Sequence, residues 1–270
     1  MLVVACIKQV PDTTQVKVDP VTGTLVREGV PFIMNPFDTH ALEESLRLKD
    51  EYGLRVAVIS MGPPNTEVTL KKALAVGADE TVLLSDRSFG GADTLATSMV
   101  LAEAIRKLEQ QEEVAVVLCG RQTIDGDTAQ VGPGIATRLG YSQLTLVDRI
   151  ENLDLQAKKV RVRRKLEGRY EIVEAPLPAM IAVLREINKP RYPTVPMRLI
   201  AESATVTLWD NNEMKLNEEA IGLKGSPTQV RKIFSPERAK GEILGDGVGN
   251  PEEAANILID RLIEKDLLNL

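Results

Sequence analysis

Short apolar runs alternate with amphipathic stretches through the first two-thirds of the chain. LVVACIKQV, from Leu2 to Val10, is apolar at nearly every position and stops at Pro11-Asp12. RVAVISMGPP, ETVLLSD and EVAVVLCG repeat the type at residues 55–64, 80–86 and 113–120. Runs without alternation are strands covered on both faces, as in a parallel sheet. Between them the period changes. NPFDTHALEESLRLKDEYG places Ala41, Leu42, Ser45, Leu46 and Lys49 at helical spacing. Asn35 is the expected N-cap, Pro36 the first helical position, Asp38 a first-turn acid and Gly53 the stop. NTEVTLKKALAVGA predicts a helix capped by Asn65 and ended by Gly77, and GGADTLATSMVLAEAIRKLEQQ turns at Gly90-Gly91 into a helix capped by Asp93 or Thr94. QVKVDPVTGTLVRE interrupts the series as a hairpin around Asp19-Pro20 and Thr22-Gly23. Strand and helix at this spacing predict βαβ units with helices on both faces of the sheet.

The pattern changes after Gly140. KKVRVRRKLEGRYEIVEAP, residues 158–176, alternates charged and apolar positions as a half-exposed antiparallel pair does. PAMIAVL follows as one more buried strand. From Pro190 the periodicity fades, with four prolines in residues 189–230, before a final helix in PEEAANILIDRLIEK. A tail of this kind needs a surface to lie on, and another chain is the expected one. The fold class is therefore α/β: a doubly wound, mainly parallel sheet of the Rossmann-like, adenine-nucleotide-binding kind, with an antiparallel extension and an irregular C-terminal arm. The expected division is 1–189 for the nucleotide- or flavin-binding domain and 190–270 for a recognition loop and an arm that packs on a partner.

Composition narrows the function. The 270 residues carry 33 basic and 39 acidic side chains, a net charge of −6, so there is no basic footprint for nucleic acid. No apolar run approaches the ~20 residues of a membrane span. The first strand carries no cleavage site after it, so no signal peptide is expected. Cys6 and Cys119 form no CxxC pair, which predicts a reducing, cytoplasmic setting. His40 is the only histidine, which nearly excludes a metal cage or a histidine-based triad. Aromatic residues make up 3%, too few for a platform that stacks bases.

One stretch fits neither helix nor strand alone: LCGRQTIDGDTAQVGPGIATRLG, Leu118 to Gly140. It leaves an apolar strand, makes the acidic turn Asp125-Gly126-Asp127, and enters a helix. In an open parallel sheet, ligands sit outside the carboxyl ends of the strands, at a topological switch point. Turns at Cys6 to Lys8, Asn35 to Asp38, Met61 to Pro64, Ser85 to Thr94 and Gly120 to Val131 gather at such ends. A helix N-terminus presents free amides to a phosphate, and Asp125 and Asp127 can accept hydrogen bonds from ribose hydroxyls. Thr128 and Gln130 add neutral donors. The same residues also make a plain polar turn with an Asp cap. The stretch is neither a P-loop nor a GxGxxG fingerprint, since Gly120 is followed by Arg121 and Gln122. PRYPTVPM exposes Tyr192, Val195 and Met197 beside prolines, which suits either an ordinary loop or protein recognition.

CIKQVPD, NPFD, ISMGPP, AVGAD, GRQTIDGDTAQVG, VRRKLEG and KPRYPTVP stand in the order found in the beta subunit of electron transfer flavoprotein, and the chain resembles that family over nearly its whole length. The resemblance implies an adenine-nucleotide site formed by Gly120, Arg121, Gln122, Thr123, Ile124, Asp125, Gly126, Asp127, Thr128, Ala129, Gln130 and Val131. Cys6, Asn35, Pro36, Phe37, Asp38 and Met61 assist it. DRSFGGADTLATS, Asp86 to Ser98, is similar to the electron-bifurcating members. That implies a complete FAD in the beta site, with NADH approaching over Gly90, Gly91, Asp93, Thr94 and Thr97; ordinary members hold AMP there. The implied partners are an alpha subunit in a heterodimer, an acyl-CoA-type or other dehydrogenase, and ferredoxin or flavodoxin. NADH oxidation is then a property of the complex. No catalytic side chain and no metal are expected, because the flavin carries the redox chemistry. The signature departs from the family pattern at Arg169. The rival from another class is an adenine-nucleotide-binding stress or signalling protein, which explains the crevice but not the long tail.

Overall fold

The computed structural model describes residues 1–12, 17–18, 25–26, 31–229 and 241–268. Among these residues thirteen strands and seven α-helices follow in order: β1 (Leu2–Cys6), β2 (Gln9–Pro11), β3 (Lys17–Val18), β4 (Leu25–Val26), β5 (Phe32–Met34), α1 (Pro36–Tyr52), β6 (Arg55–Met61), α2 (Glu67–Val76), β7 (Glu80–Leu84), α3 (Thr94–Glu109), β8 (Val114–Gly120), α4 (Val131–Leu139), β9 (Ser142–Asp154), β10 (Lys159–Leu166), β11 (Arg169–Pro176), β12 (Ala179–Val183), α5 (Val195–Ser203), β13 (Thr207–Trp209), α6 (Asn211–Met214) and α7 (Pro251–Glu264). The chain divides into two compact units, Met1–Lys232 and Ile233–Leu270.

The first unit is built on a nine-stranded sheet in the order β11-β10-β9-β12-β8-β1-β6-β7-β13. From β9 to β13 every neighbouring pair is parallel, and β10 and β11 extend the sheet antiparallel. The doubly wound, mainly parallel α/β architecture read from the sequence is thus the observed one. The apolar runs divide strand by strand between two cores. Val3, Ala5, Val56 and Val58 pack with Leu42, Leu46 and Leu70 of α1 and α2 on one face. Leu2, Val4, Ala57 and Ile59 pack with Val100, Ile105 and Ile135 of α3 and α4 on the other. Helix ends follow the glycines: Gly53, Gly77 and Gly140 all take the left-handed conformation that glycine adopts without a Cβ penalty.

Some expectations shift. α2 begins at Glu67, because Pro64 to Thr66 first make a single tighter turn; Asn65 lies inside that turn rather than capping the helix. β9 is a thirteen-residue strand that alternation alone did not reveal, since its exposed and buried positions follow no strict period. The division expected at 189/190 falls inside the first unit. Residues 190–229 form α5, which packs on α2, and β13, which pairs with β7 at the sheet edge. Ala201, Trp209 and Ile221 are buried there, so part of the tail lies on the chain's own core. The expected turns at Asp19-Pro20 and Thr22-Gly23 lie outside the described residues, while β3 and β4 pair antiparallel as a hairpin requires. In the second unit, α7 covers the expected C-terminal helix, with Asn250 capping Glu253. No helix among the described residues is long and apolar enough to cross a membrane.

Candidate functional site

β1 lies between β8 and β6. The chain winds outward from β1 through β6 to β7, then α3 carries it back across the sheet to β8 on the other side of β1. The winding therefore reverses between β1 and β8, and the crevice beyond their carboxyl ends is where a doubly wound sheet binds ligands. Cys6 and Cys119 are register partners at these two ends.

The floor of the crevice is made by the start of α1. Asp38 is buried and its two oxygens accept from the Lys8 amide at 2.8 Å and the Gly120 amide at 3.1 Å, joining the ends of β1 and β8. Asn35 is fully buried and clamps the neighbouring loop: its Nδ2 donates to Gln122 O at 2.9 Å, and its Oδ1 accepts from the Ile124 amide at 3.2 Å. Asn35 thus holds the N-cap position but spends its side chain elsewhere, so the expected capping bond is absent. Gly120 has to be glycine, because a Cβ there would lie 2.5 Å from Asp38 Oδ1 and 2.6 Å from Phe37 Cβ. The Phe37 ring carries the Arg185 guanidinium 4.2 Å from its centre.

Burial governs the titrations here. Desolvation pushes Asp38 up to about 7 against the hydrogen bonds that favour its charged form. Burial, with Asp38's charge beside it, pushes the Cys119 thiol up to about 12. Cys6 is raised too, first by burial and then by Cys119 and Asp38. Both thiols stay protonated at neutral pH and are not nucleophiles.

Above the floor runs the loop Gly120 to Gln130. Lys8 Nζ binds Asp125 Oδ2 at 2.6 Å, and Gln122 Nε2 donates to Asp127 Oδ1. Asp127 and Ala129 are non-glycine residues at φ 54° and 56°. Alternating conformations of this kind turn successive amides towards one concave side. The amides of Thr128, Ala129, Gln130 and Val131 find no acceptor among the described residues. No side chain caps α4. Its N-terminus is therefore open to an anion, and Asp127 Oδ2 has no partner among the described residues.

The second loop reaches the first. Thr94 Oγ1 donates to Gln130 Oε1 at 2.9 Å. α3, however, is closed at its N-terminus: Asp93 Oδ1 accepts from Leu95 N at 3.0 Å and Ala96 N at 3.1 Å. The expected cap at Asp93 is thus the observed one, and its carboxylate occupies the Leu95 and Ala96 amides that an anion would otherwise meet. Gly90, Gly91 and Asp93 lie in a loop whose contacts run to residues 222–228, while Thr97 continues the helix with its amide on Asp93 O. Met61 ends β6, one strand to the other side of β1, and packs against the core of α3 and α4.

The electron transfer flavoprotein domain family matches residues 22–214 of the chain. The electron transfer flavoprotein subunit beta of Clostridium acetobutylicum is 47% identical over 98% of this chain and 99% of its own length. It belongs to the electron transfer flavoprotein beta-subunit family. Protein FixA of Azotobacter vinelandii is 46% identical over 96% of this chain and 93% of its own. The caffeyl-CoA reductase-Etf complex subunit CarD of Acetobacterium woodii is 46% identical over 99% of this chain and all of its own. A flavoprotein of this family needs a place for an adenine nucleotide, and the open amides and the free Asp127 oxygen fit that need. No group of three potential metal ligands exists among the described residues. Sequence reasoning did not single out the side chains of Lys8 and Arg185, which contact Asp125 and Phe37 at the crevice. Lys8 stands within CIKQVPD and was legible as part of that turn; Arg185 had no local signal, because its contact with Phe37 spans nearly 150 residues.

Proposed function

We propose that this chain is the beta subunit of a heterodimeric electron transfer flavoprotein of the electron-bifurcating type. Its crevice holds FAD, electrons enter from NADH as a hydride, and they leave singly. One goes to ferredoxin or flavodoxin, the other through an FAD on the alpha subunit to a dehydrogenase of the acyl-CoA type or another. The observation that carries the reading is the Thr94–Gln130 hydrogen bond, which joins the bifurcating-type loop to the nucleotide loop at one crevice.

Bound FAD supplies the exchange between two-electron and one-electron chemistry; the chain supplies position and field. The loop amides of Thr128, Ala129 and Gln130 and the first α4 amide, Val131, receive phosphate, and Asp127 accepts from a ribose hydroxyl. Lys8, paired to Asp125, fixes the outer turn of the loop. Asn35 and Asp38 hold loop and strand ends from below, so the amides are oriented before the cofactor arrives.

Two surfaces support the partners. Tyr192, Val195, Leu199 and Ile200 expose apolar side chains around the start of α5, and Arg191 anchors that segment on Glu43 and Asp50. A rigid apolar patch of this kind suits docking, and the CarD relative is named for a complex with a CoA-ester reductase. In the second unit, α7 leaves Leu258, Ile259 and Ile263 exposed, as an arm bound for an alpha subunit would. The reduced thiols suit the cytoplasm.

The test is to purify the heterodimer, denature it and count released nucleotides by chromatography. Two FAD per heterodimer, with flavin bleaching on addition of NADH, is the expected result. One FAD and one AMP with no response to NADH would leave a plain electron carrier.

A further inference from the structure

Asp93 stands where two segments meet. Its Oδ1 accepts from Leu95 N and Ala96 N, and its Oδ2 accepts from Thr228 N at 3.2 Å and Thr228 Oγ1 at 2.8 Å. Its own amide donates to Ser226 Oγ at 2.8 Å. An ionised carboxylate has about four acceptor positions, and these bonds fill them. None is left for a ribose hydroxyl.

The surrounding backbone is fitted to the same contact. Gly91 is at φ +73°, where a Cβ would lie 3.3 Å from Leu223 Cβ. Gly222 is at φ +55°, and a Cβ there would fall 1.9 Å from Ser88 O. Ile221 is buried in the α3–α4 core, and Asp86 Oδ2 accepts from Asn211 N at 3.0 Å. Residues 221–228 thus lie against the loop 86–93 along its length, and among the described residues Asp93 is the one group that bonds both to them and to the first turn of α3.

We infer that Asp93 is a positioning residue: it latches residues 226–228 to the start of α3 and so fixes the Gly90–Gly91 loop and Thr94 for the entry of electrons from NADH. This rests on the proposed NADH-accepting site. The nucleotide itself is held at α4 and does not need the latch. Removing the latch therefore slows electron entry and leaves the cofactor in place.

The experiment uses the purified heterodimer with Asp93→Asn, Thr228→Val and Thr228→Ser. Asp93→Asn keeps the shape and one acceptor for the α3 cap but turns an amide NH2 on the Thr228 donors. Thr228→Val leaves the cap untouched, and Thr228→Ser keeps the hydroxyl. Expected are wild-type FAD content in all three and faster hydrogen exchange over residues 221–228 in the first two. kcat/KM for flavin reduction by NADH falls about tenfold in those two, the scale of one charged hydrogen bond, with recovery in Thr228→Ser. Unchanged exchange in Asp93→Asn and Thr228→Val overturns the latch. Raised exchange with unchanged NADH kinetics overturns the positioning role, and lost FAD would return Asp93 to the cofactor ligands. If the wild-type complex holds AMP and ignores NADH, the proposed function fails and the role in electron entry falls with it, while the exchange measurement still decides the latch.

Discussion

Gly120→Ala measures how tightly the crevice floor is built. The new methyl would lie 2.5 Å from Asp38 Oδ1, 2.6 Å from Phe37 Cβ and 2.7 Å from the Phe37 carbonyl carbon. Carbon contacts prefer ~3.5–4.0 Å, so roughly 1 Å of movement is needed. Neither side gives easily. The end of β8 is tied by the Gly120 amide to Asp38 and by Arg121 N to Val183 O at 2.9 Å. The first turn of α1 is tied by Asn35 to Gln122 and Ile124. Overpacking costs about 1–3 kcal/mol, and losing the amide bond to a carboxylate adds about 1.5–3 kcal/mol. Alanine recovers about 0.5–1 kcal/mol of glycine's chain entropy. The net expectation is a loss of about 1.5–5.5 kcal/mol with reduced cofactor occupancy. Gly126→Ala is the control, because its Cβ would meet only Thr123 Oγ1 at 3.4 Å; it should stay within about 0.5 kcal/mol. Urea unfolding of both variants, with nucleotide content measured in parallel, decides the matter. A Gly120→Ala variant as stable as Gly126→Ala would refute the close seating of Asp38 and Phe37 on β8.

Asp38→Asn should flatten the pH dependence of stability. The folded carboxyl titrates at about 7 against an ordinary 3.8, so the native state holds the proton longer and wild-type stability falls as pH rises through that window. Urea melts at about pH 5 and about pH 8 should show the gap between wild type and variant moving by about 2–3 kcal/mol in favour of Asn at the higher pH; parallel pH profiles would contradict this. Ala129→Gly removes a left-handed alanine at φ 56°. Relief of about 1–2 kcal/mol, less the entropy of glycine, should raise stability by about 0.5 kcal/mol, while nucleotide affinity drops because the amides are less ordered beforehand. Calorimetry with AMP checks it, and unchanged affinity would remove these amides from the site.

The parallel core was legible because burial on both faces leaves no polar position in runs such as Val114 to Leu118. Helix ends were legible wherever glycine had to turn left-handed. The candidate site was legible as motifs: the loop from Gly120 to Val131 and the Asn35 to Asp38 turn lie at one crevice, and Thr94 touches Gln130 there. What escaped was whatever depends on distant contacts. Asn35 looks like a cap and serves as a clamp, because the loop it holds lies 87 residues away. Asp93 was legible as a cap, but its second oxygen is satisfied from a tail 135 residues further on. α5 and β13 were missed because prolines and polar residues mask a short helix and a three-residue edge strand that form only against α2 and β7.

The order of strands also dictates when the crevice comes into being during synthesis. β1 is complete at Cys6, its first neighbour begins at Arg55, and its second begins at Val114. A nascent chain that has delivered β1, β6 and β7 therefore presents its most apolar strand as a bare edge, open to pairing with another chain. That edge is closed only when β8 emerges, and the open amides of α4 follow within the next 11 residues. A cofactor thus cannot template the early sheet. It can only seal a molecule whose central strand has already waited, unpaired on one side, for more than a hundred residues of translation. The faster the chain elongates, the shorter the interval in which that edge stands open to pairing.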